Sequence, residues 1–385
     1  MKKIFSKILF MTVLAALIGI NFSCSEDEEP SGGQPSIKYV RVTRPESSDS
    51  LLTGAFQGSL IAIVGENLAG AQEIWFNDQK ATLTPTYVTS KSILVSVPSL
   101  VPADITNKMR IIFGGGQTLE HDFEVQISEP TVSSMNSEYV PDGAVATIKG
   151  DFFYEPLTVT FPGGIVGELV SVEDQTIQVR VPAGVNPGQI TVTTKFGETK
   201  SDFWFRDNRN IFLSSDPFTG WWNEKYVVTD PVEGDPVAIN GNYIRVKEAI
   251  GGWAWKEVAG GPPDAMGAIS KNIPDDAILR PADYNLKFEV NTKKPYNNNM
   301  LKINVGLNDF VTDAYQWAPP IDTKGEWVTI VIPFEEVAGS YATAGVKMAV
   351  NPNGYFTRLL FHGGGDLDAD IALDNFRVVP KVLRK

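Results

Sequence analysis

The chain has 385 residues, 43% hydrophobic and 21% charged, values of a globular protein of two to four domains that exclude a disordered chain. Its formal charge of −13 excludes the broad basic face a nucleic-acid partner requires, disfavours a polyanionic glycan and leaves a neutral ligand as the easiest fit. One cysteine and two histidines, His121 and His362, allow no internal disulfide and are too few for a Cys/His zinc site.

Lys2, Lys3 and Lys7 open the chain, and an uncharged, mostly apolar stretch runs from Ile8 to Ile20. Small and polar residues follow, then Cys24. This is the order of a secretory signal over residues 1–23, with an apolar stretch too short to span a bilayer comfortably. Cys24 stands where a lipoprotein signal peptidase leaves a lipidated N-terminal residue. Ser23 fits the cleavage pattern, although Asn21 occupies the place where leucine is usual. An ordinary cleaved signal or a short anchor is the alternative. The run Ser25-Glu26-Asp27-Glu28-Glu29 directly after the cysteine resembles the acidic lipoprotein export signal of Bacteroidetes. That resemblance implies lipid anchoring in the cell outer membrane with outward exposure. Residues 24–36 then read as the lipidated cysteine and a flexible linker.

Beyond the linker, short alternating runs dominate, such as Leu60–Val64, Ile93–Val97 and Ile177–Val181, separated by turn clusters. This pattern predicts an all-β protein of sandwiches. Residues 37–127 and 128–206 read as two copies of one unit. Gly65-Glu66-Asn67-Leu68 corresponds to Gly150-Asp151-Phe152-Phe153, Val95-Ser96-Val97-Pro98 to Val179-Arg180-Val181-Pro182, and Phe113-Gly114…Asp122-Phe123 to Phe196-Gly197…Asp202-Phe203. The two motif glycines are expected to take positive φ just after a strand and turn the chain. The repeated pattern resembles the IPT/TIG immunoglobulin-like domain, which implies spacer or protein-contact modules.

The composition changes after Arg206. Six of the eight tryptophans fall between Trp221 and Trp327, while the alternation Tyr284-Leu286-Phe288-Val290 and Leu301-Ile303-Val305-Leu307 still reads as β. Residues 207–385 suit one larger, jelly-roll-like β-sandwich, closing on the strand Asp370–Val378. With the export signal, the two IPT/TIG-like units and a tryptophan-rich β domain, the chain resembles the surface glycan-binding proteins of Bacteroidetes polysaccharide utilisation loci. Its C-terminal part resembles their xyloglucan-binding domain. The resemblance implies non-catalytic capture of a polysaccharide, a neutral β-glucan such as xyloglucan or mixed-linkage glucan, beside a TonB-dependent transporter.

Sugar rings present apolar C–H faces to aromatic rings and hydroxyl edges to polar groups, so open glycan sites need exposed aromatics. Trp221 and Trp222 are adjacent; on a strand one enters the core and the other, taken as Trp222, faces out. Trp253 and Trp255, at i and i+2 after Gly251-Gly252, share a face and offer a platform, unless that face is the core. Tyr315 and Trp317 repeat the spacing before Ala318-Pro319-Pro320, at a loop edge. Asn223, Glu224, Lys256 and Glu257 flank the tryptophans as hydroxyl partners or as ordinary surface. Trp75, Trp204 and Trp327 read as core. Asp366, Asp368 and Asp370 after a glycine run offer hard oxygen ligands for a structural calcium ion, or form a solvated acidic loop; no other cofactor is expected. A hydrolase needs only two carboxylates, but the chain carries no serine-elbow, zincin, P-loop or dinucleotide motif. An adhesion or scaffold protein without a glycan site is the competing reading, and a small jelly-roll hydrolase a further one. Exposure of the paired tryptophans discriminates adhesion from glycan binding.

Overall fold

The computed structural model describes residues 33–47, 49–221, 223–306, 314–342 and 348–381. The signal stretch, Cys24, Trp222 and Leu307 lie outside the described residues. The chain divides after Ile127 into two compact units, and both are built of β-sandwiches that are antiparallel apart from a short parallel pair, Gly54–Phe56 with Glu124–Gln126, in the first.

In the first unit the strands Ser36–Val42, Leu60–Glu66 and Ser92–Ser96 form one sheet. The other sheet holds Gln79–Lys80, Ala71–Phe76, Lys108–Phe113 and Thr118–Asp122. Alternation sends Ile61, Ile63, Ile74, Phe76, Ile93 and Ile111 into one shared core. The second repeat has the same plan. Thr131–Met135, Val145–Asp151, Thr176–Arg180 and Glu168–Glu173 lie in one sheet, and Ile165–Val166, Leu157–Phe161, Thr191–Thr194 and Gly197–Lys200 in the other.

The repeated glycines work differently from expectation. Gly65 and Gly150 sit inside strands, and the positive φ falls on the residue two further along, Asn67 (57°) and Phe152 (62°). What the glycines supply is close approach. A Cβ on Gly65 would lie 2.0 Å from the carbonyl oxygen of Ser36, and one on Gly150 1.8 Å from that of Thr131. In both copies the neighbouring first strand is bulged at this point, which brings its backbone inward. Trp75 is not core: it lies half-buried beside Lys80 and Arg110, with its indole N–H donating to Glu73. Trp204 is likewise half-buried, under the guanidinium of Arg209.

Beyond Arg206 a six-stranded sheet faces a four-stranded one. The first runs Val227–Val228, Tyr243–Ile250, Leu367–Pro380, Tyr284–Thr292, Trp327–Pro333, with Ile211–Leu213 added against Leu367–Pro380. The second runs Lys256–Gly261, Phe356–Phe361, Leu301–Gly306, Tyr315–Trp317. Leu286, Phe288 and Val290 from one sheet meet Leu301, Ile303, Val305 and Leu359 from the other, all in one cluster. Trp327 is buried on the opposite side of the larger sheet, against Tyr243. Phe334–Ala342 is the longest helix among the described residues. The second repeat and this sandwich keep separate apolar cores but belong to one compact unit.

Candidate functional site: an aromatic surface on the four-stranded sheet

Strand Tyr243–Ile250 passes to strand Lys256–Gly261 through a turn, and Trp253 and Trp255 stand on it. They are therefore not strand residues, contrary to the spacing argument, and Trp253 takes a positive φ of 60°. They still serve one surface, because both indoles pack against the imidazole of His362, at centroid distances of 5.5 and 5.4 Å. Register explains the meeting. Lys256 pairs with Phe361, so the residue before one lies beside the residue after the other. The backbone N–H of Trp253 donates to Gly363 O at 2.6 Å, and His362 Nδ1 lies 3.2 Å from Ala254 O. Gly364 leaves the space the Trp253 indole needs, since a Cβ there would come within 3.2 Å of the ring. The indoles are 64% and 55% exposed, a costly arrangement for the largest apolar side chains unless something covers them.

Arg358, itself buried, continues the chain of contacts beneath this surface. Its guanidinium lies 5.8 Å from the Trp255 ring, 5.9 Å from Trp221 and 5.2 Å from Phe356, within cation–π range of each. Glu257 holds it in place with an ion pair at 2.6 Å. Trp221 is half-buried, packs edge-on against Phe356 at 5.8 Å, and is tied by its backbone N–H to Gly260 O at 2.9 Å. Contacts thus run without a break from Trp253 through His362, Trp255 and Arg358 to Trp221. Beside them Lys256 pairs with Glu248 at 3.1 Å, and Tyr226 donates to the same carboxylate. Burial works against ionisation of Glu248, but these two hydrogen bonds outweigh it and hold its carboxyl below the usual range.

Two expected residues take other places. Trp317 is a core residue, 3% exposed, stacked 5.0 Å from Tyr296 and paired with Leu301. Pairing of Trp317 with Leu301 and of Tyr315 with Ile303 puts both side chains on the inward face, so the shared-face reading holds but the face is the interior. Tyr315 is half-buried, with its hydroxyl donating to Glu336 at 3.2 Å. The three aspartates are separately engaged: Asp366 accepts the Gly252 N–H, Asp368 pairs with Lys294, and Asp370 takes a two-pronged contact from Arg245. Among the described residues no group of three or more His, Cys, Asp or Glu side chains is placed to share a metal ion. Asn223 and Glu224 cap and open a short 3-10 turn. Sequence reasoning missed His362, Arg358 and Phe356. The available signal was a histidine set directly before three glycines.

Residues 205–380 match the family model of the surface glycan-binding protein B xyloglucan-binding domain. An IPT/TIG domain-containing protein of Bacteroides ovatus is 30% identical over 165 residues, covering 40% of this chain and 33% of that protein, so the match spans about a third of the relative's length. A crystal structure of surface glycan-binding protein PbSGBP-B from Prevotella bryantii superposes with a TM-score of 0.65 at 24% identity, covering 91% of this chain and 99% of the other. An SGBP-B from a complex xyloglucan utilization locus in Bacteroides uniformis gives a TM-score of 0.49 at 17% identity, over 90% of this chain and 100% of the other. The fold is that of a surface glycan-binding protein. More particularly, the C-terminal sandwich is the part of the chain that matches the surface glycan-binding protein B xyloglucan-binding domain model.

Proposed function

We propose that this protein binds a polysaccharide along the surface formed by Trp253, Trp255 and Trp221 and does not cut it. The observation that carries the reading is the pair of largely exposed indoles braced on one imidazole. Each indole offers a flat apolar face to a sugar ring. Covering roughly 60–80 Å² of apolar surface per ring yields about 1.5–2 kcal/mol. Lys256 stands nearby as a donor to hydroxyls, and it and the buried Arg358 are each already partnered by a carboxylate, so the surface carries little net charge. That balance and the overall negative charge suit a neutral β-glucan, in keeping with a family described as xyloglucan-binding.

Non-catalytic action accords with the state of the carboxylates that touch these residues. Glu257 is held in an ion pair by Arg358, and Asp366 accepts a backbone N–H, whereas a glycosidase needs one protonated acid and one free carboxylate across the bond. Cys24 supplies a lipid anchor in the outer membrane, the two immunoglobulin-like sandwiches serve as a stalk, and a TonB-dependent transporter is the partner that receives the glycan.

Affinity electrophoresis of the protein from Ser25 onward, through gels containing xyloglucan, mixed-linkage glucan, mannan or starch, tests this. Retardation by a β-glucan that Trp255→Ala abolishes, with an unchanged circular dichroism spectrum, is the expected result. Free migration through all four gels, or unchanged retardation of the variant, would contradict it.

A further inference from the structure

The outer face of the six-stranded sheet carries buried charge. Lys287, Glu289, Asp374 and Arg377 lie on its two central strands, and Glu138 reaches them from the second immunoglobulin-like sandwich; all five are buried. Lys287 donates to one oxygen of Glu138 at 2.5 Å and Arg377 to the other at 2.8 Å. Arg377 also donates to both oxygens of Glu289, at 2.8 and 3.0 Å, and the Thr329 hydroxyl adds a bond at 2.9 Å. The N–H of Glu138 closes the ring onto Thr329 at 2.7 Å. Glu138 and Glu289 are therefore satisfied on both oxygens by charged donors.

Asp374 is not. It stands directly opposite Glu289 in the strand register. Its Oδ1 accepts only the N–H of the next residue, at 2.8 Å, and its Oδ2 has no hydrogen-bond partner among the described residues. The titratable and charged groups that face it are Glu289 from the neighbouring strand, Arg377 on its own strand, Asp216 from the loop alongside and Tyr139 from the second immunoglobulin-like sandwich. Arg377 is committed to the two glutamates, and Asn240 donates to Asn375 instead. The interior of this seam thus holds two cations against three carboxyl groups. An unpaired buried carboxylate is expensive, and a proton removes the cost.

We propose that Asp374 carries a proton at neutral pH and that this proton completes a latch between the second immunoglobulin-like sandwich and the C-terminal sandwich. Burial first, and then the charge of Glu289, push the Asp374 acid well above its ordinary range, in keeping with this placement. Loss of the proton sets a new anion against Glu289, the group through which Arg377 is held beneath Glu138. Opening exposes Asp374 to water, where it ionises in the ordinary aspartate range. Opening therefore releases a proton, and the latch weakens as pH rises toward the raised pKa. The open population grows about tenfold per pH unit in that interval.

Two measurements on the soluble full chain test the latch. Infrared difference spectra at neutral pH should show a protonated-carboxyl band that Asp374→Asn removes. Hydrogen exchange at the seam amides of Glu138 and Thr329, corrected for intrinsic rates, should lose protection about tenfold per pH unit in the wild type and stay level in Asp374→Asn. Glu289→Gln, which removes the facing charge, should shift the infrared titration to lower pH. Absence of the band, or identical pH slopes in wild type and Asp374→Asn, would overturn the proposal. Should Asp374→Asn fail to fold, an unmoved titration in Glu289→Gln would do so alone.

Discussion

The C-terminal sandwich breaks the ordinary rules of burial on two surfaces, in opposite senses. On the larger sheet, charge is buried: Arg377 and Glu289 are fully enclosed beneath the second immunoglobulin-like sandwich. At the edge of the smaller sheet, apolar rings are exposed: Trp253 and Trp255 stand in solvent, braced by His362. The difference separates a surface already covered from one awaiting cover. Where the partner is part of the chain, polar groups can be enclosed because Arg377, Glu138 and Glu289 find fixed donors and acceptors, with Asp374 the exception. Where the proposed partner is a glycan, flat apolar faces are left exposed, since such faces can meet a sugar ring.

Substitutions on the two surfaces should therefore fail differently. Arg377→Met leaves Glu138 and Glu289 without their shared cation and should destabilise the fold by about 3–5 kcal/mol, read from the denaturant midpoint. Trp317→Ala, inside the core, should cost about 3–5 kcal/mol in the same assay; a loss below 1 kcal/mol would refute its placement against Tyr296. The double variant Trp253→Ala/Trp255→Ala should leave stability nearly unchanged while glycan affinity falls by about 3–4 kcal/mol, more than a hundredfold. His362→Ala should weaken binding by about three- to tenfold, through loss of the brace rather than of a stacking face, and His362→Phe should restore most of it, by glycan titration. If His362→Ala left affinity untouched, the indoles would be held by their turn alone.

Much of this was legible in the chain. Alternation at Leu286, Phe288 and Val290 and at Leu301, Ile303 and Val305 identifies the two sheets, because a strand has only two faces and one must be apolar. The matched glycines mark the repeat, although their role is the close passage of a bulged neighbour rather than a turn. Spacing also finds the paired tryptophans but cannot choose between faces: the same i, i+2 pattern is exposed at Trp253 and Trp255 and internal at Trp317. The difference lies in pairing, since Trp317 aligns with Leu301 on the core face while Trp253 and Trp255 ride a turn. Long-range partners were beyond reach. Arg377 meets Glu138 across 239 positions, and His362 meets Ala254 across 108, with no local pattern announcing either contact.

The most direct test of the account is isothermal titration of a soluble xyloglucan or mixed-linkage glucan oligosaccharide into the wild-type protein and the Trp253→Ala/Trp255→Ala variant. Saturable binding by the wild type and none by an equally stable variant is the predicted result. Equal binding by both proteins would place the glycan site elsewhere and leave the exposed indoles without their assigned role.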